Sequence, residues 1–230
     1  MNIDPSDIIY FEYGFIKITA TLVFTWITMI VLILSAFFLT RNMKSKGTIS
    51  KKQNIAEALV TLLNDQIYQV TQSRNTNLLP FVGTLFIFIM GSVVLSIVPG
   101  FIAPTGSLNT TIALALCVFF AVPVYGIASQ GIKNYLKEYI KPTFIMLPFN
   151  IISEFSRAVS LAVRLYGNVM SSTIIVAILI TIVPLVFPVL LQLLGLLTGA
   201  IQAYIFAILS MVYISAATKD KDEVQQHTDS

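Results

Sequence analysis

Six polar side chains recur at helical spacing in a stretch that is otherwise almost free of charge. From Pro142 to Thr218 only Glu154, Arg157 and Arg164 are formally charged. Asn150, Glu154, Arg157, Arg164, Asn168 and Ser171 are separated by steps of three, four or seven, so a helix brings them to one face. Placing an arginine in the middle of a bilayer costs about 2.5–3.5 kcal/mol on insertion scales. A charge held there faces protein or trapped water, and its chemistry is electrostatic: it attracts, releases or blocks an ion. The expectation is an ion pathway with Arg164 at its centre. Other chemistries lack their residues. Cys117 is the single cysteine and lies in an apolar run, and His227, the single histidine, lies in a polar tail. No disulfide, metal-ligand spacing, Ser–His pair or paired aspartates can be assembled on the apolar legs. Neither metal nor cofactor is expected.

The surrounding chain explains why this stripe is expensive. It has 230 residues, 56% hydrophobic and 11% charged, against about 25% charged in a soluble domain. Mean hydropathy is +0.84. This composition predicts an all-α, polytopic membrane protein. The net charge of +3 is small, and no nucleic-acid partner is expected. The first residues, MNIDPSDII, lack the positive n-region of a signal peptide, so the first apolar segment is expected to be retained. There is no internal repeat, and residues 1–230 read as one membrane domain.

The elements follow from charge-free runs. Residues 18–39 are uncharged and at about 1.5 Å per residue span about 33 Å, enough for one crossing. Trp26 lies deep in this run, where packing accounts for it better than interfacial anchoring. Asp4, Asp7 and Glu12 precede the span, and Arg41, Lys44, Lys46, Lys51 and Lys52 follow it. This asymmetry puts the N-terminus outside and the basic cluster in the cytoplasm. Residues 51–73 carry an apolar stripe of Ile55, Leu59, Leu62, Leu63, Ile67 and Val70. They predict an amphipathic helix on the cytoplasmic membrane surface, or one docked on a soluble partner. Residues 78–98 and 108–129 form a hairpin around the Pro- and Gly-rich loop Pro99–Gly106, with a kink expected at Pro123. Lys133, Lys137 and Lys141 return the chain to the inside.

The last two legs, 143–183 and 188–218, are too long for simple crossings. At the helical rise they reach about 61 and 45 Å, against a hydrocarbon core of about 30 Å. Tilt alone does not absorb a twofold excess, so the two are expected to lie oblique to the membrane normal. Pro184 and Pro188 turn the hairpin outside, and the chain ends inside at Lys219 and Lys221. Gly195, Gly199 and Ala203 form a small-residue stripe suited to close helix approach, with hairpin packing the main role and contact with a partner secondary.

Ser160-Leu-Ala-Val-Arg164-Leu-Tyr-Gly-Asn168, with Gln202-Ala-Tyr-Ile-Phe206 and Met211-Val-Tyr-Ile214, resembles subunit a of F-type ATP synthases. The likeness is close from Pro148 to Ala217 and looser before that. It implies five membrane helices and an oblique hairpin packed against the rotating c-subunit ring. It also implies a b-subunit peripheral stalk, the remaining synthase subunits and a bacterial plasma membrane. Arg164 would be the essential arginine opposite the rotor carboxylate, and Asn168 and Gln202 its polar neighbours. Arg157 falls at a position that is usually basic. One departure is clear. Many members carry a carboxylate nine residues after the arginine, where this chain has Thr173. A partner position, histidine in some members, falls near Gly195. The first segment, ending Phe-Leu-Thr-Arg41, looks more like the alternative N-type branch, which is associated with sodium.

These residues suggest a mechanism. A guanidinium stays charged at any working pH. Arg164 would attract the empty rotor carboxylate, favour release of its ion and block leakage between two aqueous half-channels. Glu154, with Asn150, Ser153 and Ser156, is expected toward the inner half-channel; an i,i+3 ion pair with Arg157 is the alternative. Asn168, Ser171, Ser172 and Thr173 lie outward, with Gln202 opposite and expected to hydrogen-bond Asn168 or Arg164. Polar packing alone is the rival reading for Ser171–Thr173. Hydroxyls and amides suit a hard cation or ordered water, so H+ and Na+ both stay open. A stand-alone channel or secondary transporter is the alternative function, though no inverted repeat supports it.

Overall fold

The structure, a computed structural model, describes residues 9–13, 16–41, 51–71, 78–98, 100–140, 146–182 and 187–218. Asp4, Asp7, Lys44, Lys46, Lys141, Pro184, Lys219, Lys221 and His227, used above for orientation and turns, lie outside the described residues.

Among the described residues, the regular structure is helical except at the start. Strands β1 (Ile9–Tyr13) and β2 (Ile16–Thr19) pair antiparallel, with Glu12 opposite Lys17 and Tyr13 opposite Ile16. The all-α architecture stands, and this short hairpin is an addition to it. Ile18, expected at the head of the first helix, pairs in β2, and the helix begins at Ala20. The cause is local: Ile, Tyr, Phe and Thr dominate these nine positions, and such residues favour extended backbone.

Seven α-helices follow among the described residues: α1 (Ala20–Thr40), α2 (Lys51–Thr71), α3 (Leu79–Leu95), α4 (Leu108–Gln130), α5 (Ile132–Ile140), α6 (Met146–Ile182) and α7 (Phe187–Thr218). Helices α1, α4, α6 and α7 are long and apolar enough to cross a membrane, and α3 is a shorter apolar helix of 17 residues. The outward faces agree with that composition. Ile33, Phe38 and Leu197 are 60% exposed or more, a surface that only a partner or lipid makes tolerable. Trp26 is also exposed, at 56%, so it does not pack inside the chain as expected.

Helices α3, α4, α6 and α7 build the centre. Leu85 and Ile89 of α3, Ala115 and Val118 of α4, Leu161 and Leu165 of α6, and Ala203 and Phe206 of α7 close one buried cluster. With lipid outside as apolar as the core, dispersion contacts and close fit hold such a bundle together. Gly199 supplies one close approach: a Cβ there would sit 2.6 Å from Val93 Cγ1 of α3. Helix α2 docks on α3 and α7 through Leu63 and Ile67, while Leu59 and Leu62 stay exposed. Only part of its apolar stripe therefore meets protein.

Helix α4 continues through Pro123 and ends at Gly131, whose φ of 82° favours glycine and lets α5 start at once. The basic segment after α4 is thus a helix carrying Lys133 and Lys137, where only a boundary was expected. The α3–α4 connection folds inward: Pro104–Gly106 forms a 3-10 turn, buried together with Ala103 and Ser107. Helices α6 and α7 hold 37 and 32 residues, about 55 and 48 Å at the helical rise. They run antiparallel: Arg157 lies over Tyr213, Asn168 meets Thr198 and Ser172 meets Gly195.

Candidate functional site

Arg164 sits near the middle of α6 and is exposed. Among the described residues it forms no hydrogen bond or ion pair. Its neighbours along the same face are small: Ser160 one turn before, Gly167 and Ser171 after. A Cβ added at Gly167 would meet nothing within 4 Å. The guanidinium therefore borders open space on the surface of α6. The next residues inward, Leu161, Ala162 and Leu165, are buried against α4 and α7.

Two cavities lie on either side of this level along α6. The first, about 190 Å³, lies between the C-terminal end of α3, the second half of α6 and the first half of α7, and is bordered by the buried 3-10 turn. Its polar wall is Ser96, Asn168, Ser172, Thr173 and Gln192. The second, about 300 Å³, is lined by Tyr135, Asn150, Ser153, Glu154, Arg157 and Tyr213, among others. No residue lines both. Asn150 to Thr173 covers about 35 Å of helix, close to the thickness of a hydrocarbon core.

The second cavity has a built wall. The Arg157 guanidinium carbon lies 5.3 Å from the centre of the Tyr213 ring, a cation–π contact worth about 0.5–2 kcal/mol. Both residues, with Glu154 and Val122, also border a smaller void of about 20 Å³ that ends against Val118 and Leu161. Ser156, grouped with this side from sequence, is exposed and does not line the cavity.

Around the first cavity, Asn168 Nδ2 donates to the Thr198 carbonyl at 3.2 Å, tying α6 to α7. Gln202 does not take part as expected. It is 4% exposed and its Nε2 has no hydrogen-bond partner. The unmet group faces the packed centre, where Ala203 and Phe206 are fully buried. Of the small-residue stripe, Gly195 faces Ser172 of α6, Gly199 faces Val93 of α3, and Ala203 joins the core. Ser171 is exposed, and Thr173 is exposed at the cavity edge.

The family model for the ATP synthase A chain matches residues 22–215. The chain belongs to this ATP synthase A chain family. A relative from Acaryochloris marina, called ATP synthase subunit a 2, is 53% identical over 99% of this chain and 95% of its own. One from Prosthecochloris aestuarii, ATP synthase subunit a 1, is 52% identical over 97% and 100%. One from Albidiferax ferrireducens, ATP synthase subunit a, is 50% identical over 96% of each chain. As a member of the A chain family, this chain is a membrane-sector subunit of ATP synthase and serves ATP synthesis and ion transport.

Within this subunit a, two groups were not singled out from sequence. Gln192 is the polar residue in the run Val189–Leu194 of α7, and its Nε2 donates to the carbonyls of Ser96 at 3.1 Å and Ile97 at 3.4 Å. A lone amide in a leucine run is the signal that marks it. Tyr213 stands in the stretch Met211-Val-Tyr-Ile214. Its place over Arg157 depends on the hairpin register, which sequence spacing within one helix does not contain.

Proposed function

We propose that this chain is the stator ion-channel subunit of the F-type ATP synthase membrane sector. It forms two aqueous half-channels to and from the rotating c ring and couples ion flow to ATP synthesis or hydrolysis. The observation that carries this reading is the position of Arg164: exposed, uncompensated and level with a packed layer between two cavities that share no residue.

The physics follows from that arrangement. A bare ion does not cross hydrocarbon without a large desolvation cost. A carboxylate on the ring carries it through lipid in neutral form, loaded from one cavity and emptied into the other. Arg164 draws the empty carboxylate to itself, lowers its hold on the ion and repels cations that would leak between cavities. The small side chains of Ser160, Gly167 and Ser171 leave room for the ring to pass. Glu154, with Asn150, Ser153 and Arg157, serves the inner cavity; Asn168, Ser171 and Thr173 serve the outer path, with Gln202 in the layer between. Gly195, Gly199 and Ala203 hold the helices that frame both. The chain itself supplies no catalytic site.

In this reading residues 1–230 are one membrane domain in a bacterial plasma membrane. Helices α1, α3, α4, α6 and α7 cross it, with α6 and α7 as the oblique hairpin and α2 along the cytoplasmic interface. The N-terminus is outside and the C-terminus inside. Lys133 and Lys137, exposed on α5, support that orientation under the positive-inside rule. The c ring and the b-subunit stalk are the direct partners.

Reconstitution tests the reading. The purified chain alone in liposomes should carry no ion flux. The chain isolated from membranes should bring the c ring and stalk with it. Selective flux from the isolated chain, with no ring attached, would instead make it a self-sufficient channel or transporter.

A further inference from the structure

Helix α5 presents three different faces within nine residues. It starts at once after α4, because Gly131 takes a φ of 82° and its carbonyl accepts from the Tyr135 N–H at 3.1 Å. Tyr135 is 6% exposed and faces the protein. A Cβ on Gly126 of α4 would lie 2.5 Å from its ring, and the residue lines the inner cavity. This packing fixes the rotation of α5 about its own axis. At about 100° per residue, Ile132 and Leu136 lie next to Tyr135 around the helix, and Lys133 and Lys137 lie next to them. Ile132 is 66% exposed and Leu136 57%, and both lysines are exposed.

The two outward faces have no partner in the chain. Among the described residues, Lys133 and Lys137 form no hydrogen bond or ion pair. Two like charges one helical turn apart repel, and exposed isoleucine and leucine are costly in water. One environment removes both costs. Helix α4 is apolar and long enough to cross a membrane, so α5, at its end, lies where hydrocarbon meets headgroups. At that level Ile132 and Leu136 reach the acyl chains, while a lysine stem carries its ammonium out to the phosphates. A phosphate between the two ammonium groups turns their repulsion into charge-assisted hydrogen bonding.

We propose that α5 is a binding surface for an anionic phospholipid. Lys133 and Lys137 hold the headgroup phosphate, and Ile132 and Leu136 receive the upper acyl chain. The lipid thereby steadies the corner where α4 meets the end of α7, since Gln130 Nε2 donates to Ala217 O at 3.3 Å beside the start of α5. The inference rests on α4 crossing the membrane and not on the half-channels, so the two readings fail separately.

The test uses the assembled complex in nanodiscs of equal parts phosphatidylcholine and phosphatidylglycerol. A trace of one lipid or the other carries the same diazirine high on an acyl chain, so the headgroup is the only difference. After irradiation, the label on α5 is located by mass spectrometry and expressed as a share of that lipid's label over the whole chain. Two lysines at an anionic surface predict a share at least about fivefold higher for phosphatidylglycerol. Lys133→Gln with Lys137→Gln should bring the two lipids within about twofold of each other, while Lys133→Arg with Lys137→Arg should keep the preference. Equal shares in the unaltered complex, a preference that survives the glutamine pair, or no lipid label on α5 because another subunit covers it would overturn the proposal. Loss of the preference on adding inorganic phosphate at constant ionic strength would also overturn it, since the surface would then be one for a free anion. If the glutamine pair does not assemble, raised ionic strength in the unaltered complex takes its place. The preference should then fall, and a preference indifferent to salt would overturn the proposal.

Discussion

Arg164 is best understood through what surrounds it rather than through its charge alone. Open space in front of Gly167 separates two kinds of role. If the face is only lipid-exposed, a larger side chain there costs nothing. If a ring passes close by, it obstructs. Gly167→Leu is therefore expected to leave the thermal stability of the solubilised chain within about 0.5 kcal/mol, while coupled ATP synthesis falls sharply. Unimpaired synthesis would remove the close partner. Glu154 makes a second prediction at this scale. Glu154→Gln keeps the shape of the inner cavity and removes a charge from its wall. Assembly should be normal and ion flux initiated from the inner side slower by about tenfold, about 1.4 kcal/mol of barrier. Unchanged flux would leave Glu154 a purely structural residue.

At the scale of elements, two contacts set how the hairpin stands against its neighbours. Gly199 lets α7 approach Val93 of α3. Gly199→Val inserts bulk at 2.6 Å from a side chain, so a loss of about 1–3 kcal/mol is expected, read as a lower melting temperature of the solubilised chain. Tyr213 holds Arg157 across the hairpin. Tyr213→Phe keeps a ring face and should preserve stability and inner access, while Tyr213→Leu should lose about 0.5–2 kcal/mol and alter labelling of a cysteine at Ser153. The same elements explain what the chain's order of residues disclosed. Charge-free runs bounded by lysines mark where the long helices lie, and a 3.6-residue period puts Glu154, Arg157 and Arg164 on one helix. Contacts between helices are different. Gln192 reaches Ser96 and Ile97 across about 95 residues of sequence, and Asn168 chooses Thr198 over Gln202; no spacing within either helix encodes that register. The buried turn at Pro104–Gly106 carries the loop composition of an exposed connection, and only packing against α1, α3, α4 and α6 reveals its place. The β1–β2 hairpin rests on β-branched and aromatic residues, a signal separate from the charge pattern that marks the long helices.

For the whole molecule, two cavities lie at different levels of one bundle and share no lining residue; under the proposed function, the path between them is continuous only through a moving partner. The layer of Leu161, Leu165, Ala203 and Phe206 that separates them is the same layer that holds the helices together. Under the proposed function, stability and ion-tightness therefore come from one set of contacts. At this level the central claim concerns Arg164 as the barrier and the partner of a rotor carboxylate. The direct measurement is ion-driven ATP synthesis by the assembled complex carrying Arg164→Ala, with assembly verified by co-purification of the ring. Synthesis is expected to fall at least about 100-fold, about 2.7 kcal/mol at the rate-limiting barrier, with the complex intact. Normal ion-coupled synthesis in that variant would contradict the account.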